Sequence, residues 1–242
     1  MTGLLDVLVL TARDAERAEA GGADRVTLVG TLDHGGLSPE PGLVAAVRKA
    51  TSVQVRPVVR LREGFSTDGG EAIRLKGLIS AYLEEGADGM VLGFVNGLGQ
   101  VDLEILEALA GEGSWPWTFH RAFDSLHDPD RAWRDVRELP RLDAVLTAGS
   151  ARDVEAGLDD LLARAKADPT VARLIMAGGG LRPDHVAWLA RTGVSAFQVS
   201  SSVRPNRSLA ADVDPQLVHA WRILLDAEVS QSGSRGSLPF AG

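Results

Sequence analysis

Eight short apolar runs punctuate this chain between residues 4 and 200, and their spacing limits its possible folds more than any other feature. They are LLDVLVL (4–10), RVTLV (25–29), VQVRPVVR (53–60), GMVLGF (89–94), PWTFH (116–120), AVLTA (144–148), RLIMA (173–177) and AFQVS (196–200). Their length and Val/Leu/Ile content suit strands buried on both faces. Between them lie helix-period stretches such as ARDAERAEA, EPGLVAAVRKA, EAIRLKGLISAYLEE and ARDVEAGLDDLLARAKA, most opening with Pro, Asp or Ser. Four junctions share one grammar: AGGADRVTL (20–28), EGADGMVLG (85–93), RLDAVLTAG (141–149) and TGVSAFQVS (192–200). In each, a helix ends at Gly or a short polar link and a strand follows at once, as left-handed glycine caps allow.

Eight βα units in about 225 residues predict an α/β protein, a single (β/α)8 TIM barrel. The alternative is an open doubly wound sheet. The absence of a dinucleotide fingerprint and the similarity of the units favour closure. The barrel is expected over residues 1–228. The Gly/Ser-rich segment 229–242, VSQSGSRGSLPFAG, is expected to be a flexible tail.

Composition removes several classes of function. The net charge of −8 and the lack of basic clusters exclude a nucleic-acid partner. No apolar run approaches the ~20 residues that cross a bilayer. The N-terminal run has no basic residue before it, so a cytoplasmic protein is expected. There are no cysteines, which excludes disulfides, thiolate catalysis and Cys-ligated metals.

In a TIM barrel the site is built from the C-terminal ends of the strands and the loops that follow. TFHRAFD (118–124) places His120, Arg121 and Asp124 at such an end. Gln54, Arg56 and Arg60 share one strand parity, and Val53, Val55, Pro57 and Val59 the other, so the polar set is expected inside the barrel and the apolar set against helices. Two readings of these groups stand side by side. One is a structural ion network filling a polar lumen. The other is an anion-binding or acid–base site, with His120 as general acid or base, Asp6 as its partner and Asp124 as a further carboxylate. The anion would be held by Arg25, Arg60, Arg62 and Arg121, with Thr147, Gln198, Ser200 and Ser201 as further contacts. AGGGLRPDHV (177–186) offers Gly178, Gly179 and Gly180 as a phosphate loop; its alternative is a tight turn with Pro183 in the first helical turn. His34, His127, His185 and His219 read as loop or helix residues. No cofactor and no resident metal are expected: no Lys lies in a strand for a Schiff base, and Asp6 alone does not hold a divalent ion.

AGGADRVTLVGTLDHGGLSPEPGLV (20–44), VVRLREG (58–64), EEGADGMVLGFVNGLGQVD (84–102), TFHRAFD, LTAGSA (146–151) and MAGGGLRPDHV (176–186) together resemble the CutC copper-homeostasis family over roughly residues 4 to 202. The resemblance implies a TIM barrel, a cytosolic protein and a link to copper. It carries over unevenly. Asp6 stands where the family tends to have Glu, Thr27 where it has an acid, Val29 near its Cys, and Gln198 where a His is expected. Arg60-Leu61-Arg62 matches an Arg-Pro-Arg run, and Phe119 to Asp124 are intact. Cu(I) prefers thiolate and thioether ligands. With no Cys, and with Met90 and Met176 inside strands, the chain is expected not to be a high-affinity Cu(I) binder.

Three functions follow: a CutC-like copper-homeostasis protein, a barrel enzyme (isomerase, epimerase or lyase) for a small anionic or phosphorylated metabolite, or a divergent scaffold that has lost its chemistry. Trp133, Trp188 and Trp221 fall on helices, where they serve either the core or a homodimer contact.

Overall fold

A computed structural model describes residues 2–235. All eight predicted strands form: β1 Leu4–Val9, β2 Arg25–Leu28, β3 Gln54–Pro57, β4 Met90–Leu92, β5 Trp117–Phe119, β6 Leu142–Thr147, β7 Ile175–Ala177 and β8 Ala196–Val199. They are parallel, in the order β3-β2-β1-β8-β7-β6-β5-β4. The two outer strands meet just beyond the end of β3. There Val58 bridges Val91, and the Val59 amide donates to the Val91 carbonyl at 2.8 Å. That contact closes the sheet into a (β/α)8 barrel.

The helices are α1 Ala12–Ala20, α2 Pro41–Ala50, α3 Gly69–Glu84, α4 Leu103–Ala110, α5 Pro129–Val136, α6 Val154–Ala167, α7 Pro169–Leu174, α8 Pro183–Ala190 and α9 Pro215–Arg235. The start signals act as expected. Thr11, Asp68, Asp102, Asp128 and Asp153 each accept a backbone N–H in the first turn of the helix they open. The short α7 between α6 and β7 adds an element that periodicity does not separate. The tail boundary also moves. α9 continues through Arg235, with Val229 buried against the core, so 229–235 is helix. Residues 236–242 of the expected tail lie outside the described residues. None of the helices among the described residues is long and apolar enough to cross a membrane.

The shared junction grammar has a conformational cause. Gly22, Gly86 and Gly193 sit at φ +94, +88 and +93, where only glycine is unstrained. At the third junction Arg141 takes the same role at φ +58. Its guanidinium donates to the Gly111 carbonyl at 2.6 Å, which helps to hold a conformation its Cβ disfavours.

Strand parity sorts the side chains into two layers. Leu5, Val55, Val59, Phe119 and Phe197 point outward and join the helix core with Val47, Leu75 and Trp133. Each such buried side chain contributes roughly 1.5–3 kcal/mol. Of the helix tryptophans, Trp133 and Trp221 are buried and Trp188 is exposed. The interior parity forms two small apolar walls. Val29, Val58 and Val91 make one, and Ala144, Leu146 and Met176 the other. Between these walls the polar residues run across the barrel.

Candidate functional site

The interior polar residues separate into two storeys. The lower storey lies near the N-terminal strand ends. Asp6 pairs in register with Arg25, the first residue of β2, and with Gln198. The Asp6 carboxylate accepts from Arg25 Nε at 2.5 Å, Thr27 Oγ1 at 3.1 Å and Gln198 Nε2 at 3.2 Å. Arg56 reaches across the barrel to Thr118 Oγ1 at 2.9 Å and to both oxygens of Asp143, one of them at 2.6 Å. Arg25 Nη1 approaches the same Asp143 at 3.9 Å. Two guanidinium groups therefore meet two carboxylates, and the charge cancels. Asp6 and Arg25 do not line the mouth of the barrel. Their position matches the structural network that sequence parity left open.

The upper storey is a cavity of about 500 Å³ at the C-terminal strand ends. That size suits a small-molecule site. Arg60, Arg121, His120, Asp124, Gly179, Gln198 and Ser200 of the expected set line it. A larger cleft of about 660 Å³, near Glu104, Glu107, Trp117 and Asp135, opens between α4 and α5. It lies away from the C-terminal strand ends and gathers no buried ionisable group.

His120 follows β5 and is 8% exposed. It packs against Gly93, where a Cβ would stand 2.9 Å from the ring Nδ1, so the close approach requires glycine. Nδ1 accepts the Ala122 N–H at 3.2 Å. The ring proton of the neutral form therefore sits on Nε2. Nε2 is buried and has no partner among the described residues. Burial, then the charge of Arg60, lower the His120 pKa to about 3. The imidazole is neutral at physiological pH, so its resting role is that of an N–H donor rather than a cationic acid.

Arg60 is 7% exposed. Nε donates to the Gly64 carbonyl at 2.9 Å, and Nη1 to the His34 carbonyl at 2.7 Å and the Gly36 carbonyl at 3.4 Å. The guanidinium lies 4.5 Å from the centroid of Phe65, whose ring is 5.5 Å from that of His120. Burial lowers its pKa, and the Glu63 charge offsets part of that. Among the described residues no carboxylate reaches salt-bridge distance of Arg60, in contrast to Arg25 and Arg56.

The remaining expected residues serve neighbours. Asp124 accepts from Arg121 Nε at 2.7 Å, Thr147 Oγ1 at 2.5 Å and the Ala148 N–H at 3.1 Å, so it clamps the β5 and β6 loops with its lone pairs engaged. Arg121 also donates to the Ser150 carbonyl at 3.0 Å. Arg62 turns outward, half exposed, and donates to Glu71 at 2.8 Å. Gly178 packs under Leu146 and Gln198. Gly180 and Ser201 line a small separate cavity beside the mouth. His34 is the residue that sequence reading missed: it lines the mouth, with Nδ1 3.5 Å from Glu63. The neighbouring Gly35-Gly36 pair, in a loop after a strand, was the available signal.

The fold and the strand-end site define a protein of the (β/α)8-barrel class. The CutC family model matches residues 4–203. A CutC family protein of Klebsiella pneumoniae (strain 342) is 32% identical over 241 residues, covering 95% of this chain and 96% of its own length. One from Xanthomonas axonopodis pv. citri is 35% identical over 201 residues, covering 81% and 82%. The chain belongs to the CutC family. Among solved structures, the copper homeostasis protein CutC from Streptococcus agalactiae superposes with a TM-score of 0.71 at 23% identity, covering 81% of this chain and 97% of its own. Thiamine phosphate pyrophosphorylase from Pyrococcus furiosus does so at 0.60 and 15%, covering 94% and 97%. At these identities both show the fold alone.

Proposed function

We propose that this CutC-family protein binds a small anionic metabolite at the barrel mouth and that any part it plays in copper homeostasis does not rest on high-affinity Cu(I) binding. The observation that carries the first half is Arg60, a buried cation with no carboxylate partner among the described residues. An unpaired buried charge costs several kcal/mol, and an anionic ligand supplies the missing countercharge. His120 lines the same cavity and carries an Nε2–H that has no partner among the described residues. A neutral imidazole beside a guanidinium suits a ligand carbonyl or the oxyanion that develops from it. In an isomerase, epimerase or lyase the pair would polarise that carbonyl. Asp124 acts as a positioning residue for Arg121, while Asp6, bonded to Arg25, Thr27 and Gln198 and not to His120, belongs to the lower network.

The donor set supports the second half. There is no Cys, Met90 is buried against the helices, and Met176 accepts from Arg25 Nη2 at 3.3 Å on the interior wall. Among the described residues no three of His, Cys, Asp or Glu are grouped to hold a metal. A soft Cu(I) site does not fit these residues. The reading includes the cytoplasmic setting that the family resemblance implies. It leaves Trp188 as the exposed tryptophan for a contact between copies.

A thermal-shift scan tests both halves. Small carboxylates and phosphate esters raise the melting temperature by mass action, and Cu(I) under reducing conditions does not. Stabilisation by Cu(I) that is lost in His120→Ala would overturn the copper half.

A further inference from the structure

We infer that the ligand is a phosphate monoester whose phosphate occupies the small cavity beside the mouth. This rests on the reading of the mouth as an anion receptor and names the other end of the same molecule. The cavity measures about 50 Å³, several times the space one water needs. It lies between the turn after β7 and the segment after β8 and is lined by Gly179, Gly180, Ser200, Ser201, Ser202 and Arg207.

What distinguishes this pocket is its stock of unused donors. Among the described residues the backbone N–H groups of Gly179, Gly180, Ser201 and Ser202 have no acceptor. The hydroxyls of the three serines make no hydrogen bond, and the Arg207 guanidinium pairs with no carboxylate. No Asp or Glu lines the cavity, in a chain of net charge −8. Donors gathered around a guanidinium with no carboxylate beside them fit a tetrahedral dianion, whose oxygens each take several N–H and O–H bonds.

The walls are anchored. Arg204, buried between Ser202 and Arg207 in sequence, donates to Asp14 at 3.0 Å and to the Leu8 carbonyl at 3.2 Å, tying the segment to the barrel. On the other wall the Gly179 carbonyl accepts the Val154 N–H at 2.9 Å. Gly179, Gln198 and Ser200 line both this cavity and the mouth. One molecule spanning this shared wall would set its phosphate at Arg207 and a carbonyl or carboxylate at Arg60 and His120.

Calorimetric titration with inorganic phosphate, glycolate and 2-phosphoglycolate tests this on the wild type, Arg207→Gln and Arg60→Gln. Arg207 is exposed, so its variant keeps the fold. In the wild type 2-phosphoglycolate binds at least about tenfold tighter than glycolate; Arg207→Gln removes that gain and leaves glycolate within about twofold. Arg60→Gln weakens glycolate and 2-phosphoglycolate and spares inorganic phosphate. If 2-phosphoglycolate binds no tighter than glycolate, or Arg207→Gln weakens both alike, the phosphate site is overturned while the mouth reading stands on its Arg60 dependence. Phosphate binding that needs Arg207, in a protein indifferent to glycolate and to Arg60→Gln, supports the cavity and overturns the mouth reading. A protein that binds none of the three overturns both.

Discussion

Asp6→Ala is expected to destabilise the protein by about 3–5 kcal/mol, because it strands a buried guanidinium. Arg25 is 2% exposed, and its other carboxylate contact, Asp143, is 3.9 Å away and already bound by Arg56. The change also removes an acceptor from Thr27 and Gln198. For a domain of this size the melting temperature falls by roughly 10 °C. The double variant Asp6→Leu/Arg25→Met recovers most of the loss, since apolar side chains replace a buried ion pair at little net cost. Chemical denaturation measures both. A loss below about 1 kcal/mol in Asp6→Ala would show that the lower storey does not hold the barrel together.

Acid is expected to weaken the wild type through His120. Its folded pKa of about 3 lies below the ordinary histidine value near 6.5, so the unfolded chain takes up a proton that the folded one refuses. Stability is therefore full above about pH 6.5 and falls as the pH drops from there toward 3. Between pH 7 and pH 5 the His120 contribution amounts to about 2 kcal/mol. His120→Asn keeps an acceptor for the Ala122 N–H and has nothing to titrate. The wild type should lose about 2 kcal/mol more than this variant over that interval, measured by urea denaturation at the two pH values. Parallel pH profiles would mean that water reaches the ring and that the imidazole titrates normally.

Much of this architecture was legible from residue pattern. All eight strands were, because buried parallel strands read as short apolar runs between capped helices. The inward parity of Arg56 and Arg60 was legible too, since side-chain direction alternates with period two. Height along the barrel axis was harder to read. Arg25 and Arg60 look alike as inward arginines, yet one opens its strand and the other lies beyond the end of its own. Only register placed Asp6 beside Arg25 and left Arg60 without an acid. Asp143 was missed because it enters at the foot of β6, beside a register shift between β5 and β6. His34 and Phe65 reach the mouth from loops whose paths depend on long-range contacts, such as the Val95 N–H donating to the Phe65 carbonyl at 2.8 Å.

The family departures fall into place on this frame. Thr27 and Gln198, standing where the family resemblance expects an acid and an imidazole, hydrogen-bond to Asp6 and to each other. They keep the lower storey saturated with less charge. Arg60 has carbonyl partners but no carboxylate among the described residues, and the proposed ligand would lie beside it and His120.

The most direct test is denaturation of the wild type and Arg60→Gln, each with and without glycolate. Glycolate is expected to stabilise the wild type and to leave the variant unmoved. Without ligand, the variant should differ by no more than about 2 kcal/mol, as lost carbonyl bonds offset relief of a buried charge. A wild type indifferent to glycolate, with a variant that loses 3–5 kcal/mol or so, would instead make Arg60 a structural cation. The mouth would then have no claim to an anionic ligand.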